Sequence, residues 1–278
     1  MLPTVNFFGK QVTRMIIGDN PVNGHSYIPD LITGNEMKEW YTHEKVVEMF
    51  FNAEKTGFNT ILPLACPKAM DAIRDYFGRG GNMNIIFQPY PCVPIDENIR
   101  EMLEFNPLAI YHQGTTTDYL VETNDIDTLR NNLEEIRKTG LPVGMCSHVP
   151  ETILRAEKEN WGIDFYMACL YNARRDRQGQ QSGFITGVSK ADLIFYPEDR
   201  FLMFEVVRKV QKPFIVFKIL AGGQIMTGRK PEEYPSIIKE YIAEAYNNIK
   251  PNDLACVGVF QRDTDQIKQL AEITSQVL

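Results

Sequence analysis

Apolar residues along this chain fall in short runs, and between the runs they recur every three or four positions. The runs at 14–18, 59–63, 84–88, 109–112, 142–146, 164–170, 214–220 and 255–260 have the length and composition of buried strands. The intervals read as helices. Thr42 is placed to cap one whose Val46, Phe50 and Ala53 share a face, and Gly57 follows it as a terminator. Ile126, Leu129, Leu133 and Ile136 repeat at helical spacing before Thr139-Gly140, and a last helix from about Asp263 turns Ile267, Leu270 and Ile273 inward. Eight strand–helix alternations predict the α/β class, a (β/α)8 TIM barrel occupying residues 1–278 as a single domain. The one irregular stretch, about 173–197 after the sixth strand, is rich in Arg, Gln, Gly and Ser; it reads either as a functional loop or as a disordered excursion.

Composition narrows the partners. Hydrophobic residues make up 44% of the 278 and charged ones 23%, enough apolar surface for a sizeable core. A net charge of −7 supplies no basic footprint, so nucleic acid is not expected as a partner. No apolar run reaches the roughly 20 residues that span a bilayer, and the first residues lack a signal peptide's pattern; no membrane association and a cytoplasmic location are the expectations. The five cysteines, at 66, 92, 146, 169 and 256, have no CxxC spacing, so neither disulfides nor a metal site is expected.

Catalytic groups in such a barrel sit where the strands end. His112 closes the fourth strand, where a histidine polarises carbonyls or shuttles protons near neutral pH; the alternative is a histidine satisfied by the backbone. Lys218 follows Phe214-Ile-Val-Phe, and inside the barrel desolvation would lower its pKa, making it a base or Schiff-base nucleophile; outside, it would snorkel between helices. Gly222 and Gly223 follow, a pair whose bare amides suit an anion or merely a tight turn. Asp19, Asn20 and His25 after the first strand, Gln88 after the third, and Cys146, Ser147 and His148 after the fifth complete the candidates at the mouth.

From the fifth strand onward the pattern becomes specific. Val143-Gly144-Met145-Cys146-Ser147, a helix through Ala156, and a strand ending in Tyr171-Asn172 resemble the aldo/keto reductase segment in which I-G-V-S-N precedes a helix and the next strand ends in Y-N. Gly57-Phe58-Asn59-Thr60 is similar to that family's approach to the second strand, Leu108 to His112 to its fourth strand, and Leu220 to Ile225 to its P-L-x-x-G-x-L loop. The resemblance implies an oxidoreductase barrel using NADP, with an Asp-Tyr-Lys-His set acting on a small carbonyl or sugar-like substrate. Only the histidine has a counterpart, His112; Leu62 stands where the aspartate belongs, and Gln88-Pro89 where the lysine belongs. On the cofactor side the resemblance implies that Cys146 and Ser147 hold the carboxamide, that Gly222 and Gly223 are cofactor-binding, and that Arg262 meets the 2′-phosphate. Two other readings accompany it, a cofactor-independent lyase or isomerase using Lys218 and a non-catalytic binding or regulatory barrel.

Overall fold

Strands buried on both faces carry apolar side chains on both, which leaves no room for clean alternation along them. The computed structural model, which describes residues 2–187 and 193–278, shows this arrangement throughout. Two strands, β1 (Thr4–Phe7) and β2 (Lys10–Thr13), pair antiparallel with Thr4 opposite Thr13. Eight parallel strands follow: β3 (Met15–Gly18), β4 (Thr60–Leu62), β5 (Asn84–Phe87), β6 (Ala109–His112), β7 (Val143–Ser147), β8 (Phe165–Cys169), β9 (Phe214–Phe217) and β10 (Leu254–Gly258). They pair in chain order, and β10 returns to β3 to close a (β/α)8 barrel. The helices are α1 (Gly34–Trp40), α2 (His43–Thr56), α3 (Pro67–Gly78), α4 (Ile95–Leu103), α5 (Gly114–Glu122), α6 (Ile126–Arg137), α7 (Pro150–Lys158), α8 (Gly183–Thr186), α9 (Asp199–Lys209), α10 (Tyr234–Asn248) and α11 (Gln266–Val277). None is long and apolar enough to cross a membrane among the described residues.

All eight strands read from the sequence are present, and the helix signals hold where they were specific. Thr42 accepts from the Lys45 amide at 3.4 Å, and Gly57 ends α2 at φ 102°, the left-handed conformation that glycine tolerates. The β1–β2 hairpin was not foreseen. Its Phe7 and Val12 join Ile16, Ile86, Phe165 and Leu254 in the barrel interior, with Phe7 edge-on to Phe165 at 5.2 Å. Phe165 opens β8, so the hairpin stoppers the end of the barrel opposite the mouth.

The outward set, including Met15, Ile17, Ile110, Met145, Tyr166, Phe214 and Val216, packs under the helices. This inside–outside division decides where each polar residue at a strand end points. The stretch after β8 folds back over the mouth, with α8 as its only helix among the described residues. Residues 188–192 of the long loop lie outside the described residues.

Candidate active site

The strand ends surround a cavity of about 340 Å³, lined by Tyr27, Thr115, His148, Arg174, Arg177 and Lys218 among others. Lys218 is reached by a break in the strand. Expected inside a strand running to 220, it is instead the first residue beyond β9, at φ 60°. That left-handed turn carries its ammonium over the mouth, where Nζ donates to the Tyr27 Oη at 2.8 Å and lies 4.1 Å from the centre of the Tyr27 ring. Burial works against the charged form, but the Tyr27 oxygen and the Cys169 and Cys146 sulfurs outweigh it, and the pKa is raised above the ordinary lysine value. The expected lowering is therefore reversed. Lys218 rests as an ammonium, a poor nucleophile and a good partner for negative charge.

Across the cavity stands a histidine–carboxylate pair. Asp118 lies one turn into α5, and helical side chains lean toward the helix start, which brings its carboxylate back to the end of β7. It accepts from His148 Nδ1 at 2.7 Å, from the His148 amide at 3.1 Å and from Ser147 Oγ at 2.6 Å. A carboxylate only accepts, so Nδ1 carries a hydrogen. Gly114 makes this fit: a Cβ there would lie 2.5 Å from Cys146 Sγ and 3.0 Å from His148 Cε1.

The roof comes from the long loop. Arg174 forms a fork onto Glu122 through Nε at 2.9 Å and Nη2, and Gly179 donates to the same carboxylate at 2.7 Å. Farther on, Phe184 packs edge-on to His25 at 4.5 Å and to Tyr90 at 5.7 Å, while Gln224 accepts from the Phe195 amide at 3.0 Å. The loop thus seals one side of the cavity with named contacts.

Several expectations are corrected. His112 does not face the mouth. Tyr111, its neighbour, takes the inward position and donates to Gln88 Oε1 at 3.1 Å, so His112 turns outward under α5 and α6. There Nδ1 meets Thr117 Oγ1 at 2.7 Å, Nε2 meets Asn132 Nδ2 at 3.1 Å, and burial lowers the imidazole pKa to about 4. It is a neutral core histidine, the alternative weighed above. Asp19 is buried, accepting from the Leu64 amide and Asn23 Nδ2, each at 2.8 Å, and burial raises its pKa to about 6. Asn20 opens a 3-10 turn, Asn20–Asn23, and its carbonyl accepts from the His25 amide at 3.0 Å.

The nicotinamide seats fare no better. Ser147 is fully buried behind the imidazole and held by Asp118. Cys146 points into the barrel, where burial raises its thiol pKa well above the usual value, with Cys169 and Cys256 pushed up to about 12. Gly222 is needed for close packing, since a Cβ would lie 2.5 Å from the Tyr27 ring, and the Gly223 amide is already bonded to the Leu220 carbonyl at 2.8 Å. Arg262 lies in a different pocket, beside Trp40, Lys45 and Glu48, and its guanidinium is paired with Asp263 at 2.9 Å and Glu36 at 3.3 Å. The residues present therefore do not fit the cofactor that the resemblance implies. Tyr27, Thr115, Asp118, Arg174 and Arg177 were not picked out from the sequence. Asp118 carried a usable signal, an acidic residue one turn after a glycine at a strand-to-helix junction; Tyr27 carried none.

No protein-family model matches the chain, and no curated protein matches it in sequence. Solved structures do. A glycerol dehydrogenase from Gluconobacter oxydans is 10% identical with a TM-score of 0.52, covering 99% of this chain and 96% of its own. An aldo/keto reductase from Brucella melitensis is 8% identical with a TM-score of 0.56, covering 100% of this chain and 94% of its own. At such identities the likeness is one of fold alone, and the fold is the closed (β/α)8 barrel already described.

Proposed function

We propose that this protein is an acid–base enzyme acting on a small carbonyl or sugar-like molecule, an isomerase or lyase that needs no nicotinamide. The observation that carries the reading is that His148, bonded to Asp118 behind it, and the Tyr27–Lys218 pair line one cavity. In this scheme His148 Nε2 takes the proton from the carbon beside the carbonyl, and Asp118 steadies the imidazolium that forms. The C–H electron pair becomes the carbon–carbon double bond of an enol, and the carbonyl oxygen receives the Tyr27 proton. Lys218, donating to the Tyr27 oxygen, stabilises the negative charge left there. In a hydroxy-carbonyl substrate the imidazolium then gives its proton to the former carbonyl carbon, and the Tyr27 oxygen takes the proton of the neighbouring hydroxyl, whose oxygen becomes the new carbonyl; both groups are restored and the isomer is formed.

Reduction of the same carbonyl is the second reading, favoured by the Tyr27–Lys218 pair, a proton donor of the composition the resemblance implies, assembled from other positions. The filled nicotinamide seats weigh against it. A Schiff base on Lys218 is disfavoured by its raised pKa.

The test is hydrogen exchange into D2O with a panel of small hydroxy-carbonyl compounds, followed by proton NMR. Wild type is expected to label the carbon beside the carbonyl of at least one compound, and His148→Gln to slow that exchange by roughly two to four orders of magnitude. Labelling that survives His148→Gln unchanged would defeat the assignment.

A further inference from the structure

The α5 helix starts at the rim of the cavity, and the amides of a first helical turn have no partners inside the helix. Gln113 satisfies the Thr116 amide at 2.6 Å, and the Gly114 amide is directed at the Cys146 sulfur. Thr115 is different. Its side chain is only 6% exposed, it lines the cavity, and among the described residues its hydroxyl has no hydrogen-bond partner. Lys218 lines the same cavity, and among the described residues no acidic side chain does. The cavity therefore presents a hydroxyl, a helix's positive end and the Lys218 ammonium to its occupant.

We propose that the first turn of α5, through the Thr115 hydroxyl and amide and together with the Lys218 ammonium, seats an oxyanion of the substrate, a phosphoryl or carboxylate group. The His148 ring rests against the same turn at Gly114, so an anion bound there sets the adjoining carbonyl beside the imidazole. This rests on the mouth cavity being the reaction site, and it narrows the substrates to small carbonyl compounds bearing an anionic group. The two sources share one chemistry, acceptor oxygens with net negative charge, and differ in shape.

The test is calorimetric titration of the full chain with inorganic phosphate in one arm and acetate in the other. Saturable binding of either probe, weakened about tenfold by Thr115→Val and restored by Thr115→Ser, is the expected result, and the probe that binds names the group. Melting of each variant without ligand is measured alongside; if Thr115→Val does not fold, Lys218→Met in its place is expected to weaken the same probe by tenfold or more. Absence of binding for both probes, or unchanged affinity in Thr115→Val, overturns the proposal, and it does so even where exchange into D2O depends on His148.

Discussion

Lys218 occupies a left-handed backbone conformation that costs an ordinary L residue about 1 kcal/mol, and the strain is held by the Ala221 amide, which donates to its carbonyl at 2.8 Å. Asp19 and His112 show the same principle in ionisation, since each is kept neutral by burial against its usual habit near pH 5. Their linkages have opposite sign. His112, with its folded pKa near 4 against 6.5 unfolded, contributes stability that is present above pH 6.5 and lost as pH falls toward 4. Asp19, raised from 3.8 to about 6, is protonated only in the folded state between those values, so its contribution is lost as pH rises through the same window. In the wild type the two nearly cancel. Asp19→Asn removes one side, and its unfolding free energy is expected to rise by roughly 3 kcal/mol more than the wild type's between pH 4 and 6.5, by urea denaturation at each pH. Parallel curves for the two proteins would show that Asp19 titrates normally.

At the scale of elements, the strands were legible because each apolar run is short, bounded by polar turns and buried on both faces. What periodicity left undecided was which face each strand-end residue takes, and there a shift of one residue reverses the outcome. His112 was assigned to the mouth because it ends β6, whereas Tyr111 holds the inward position. Lys218 reached the mouth only because β9 stops at Phe217. The α5 helix shows how tightly such an element is tied to the site. Gly114→Ala would push a methyl into Cys146 and the His148 ring, so D2O exchange is expected to fall at least tenfold with a smaller loss in melting temperature. Exchange at the wild-type rate would mean that the imidazole does not depend on the start of this helix.

For the whole molecule, eight βα units and the resemblance carried by residues 143–172 were enough to specify the barrel, and the solved structures agree with that fold. The site was less legible, because Tyr27 meets Lys218 only through closure of the barrel, and neither it nor Thr115 carries a motif of its own. The proposed acid–base chemistry needs no nicotinamide, and the residues that the resemblance assigns to one are otherwise engaged. Arg262 is engaged with Asp263 and Glu36, Ser147 lies behind the imidazole, and Gly222 is covered by Tyr27. The most direct test is calorimetric titration of the full chain with NADPH and with NADH. The account predicts no saturable binding of either up to millimolar concentration; micromolar binding of NADPH, lost in Arg262→Ala, would contradict it and make carbonyl reduction the function of the Tyr27–Lys218 pair.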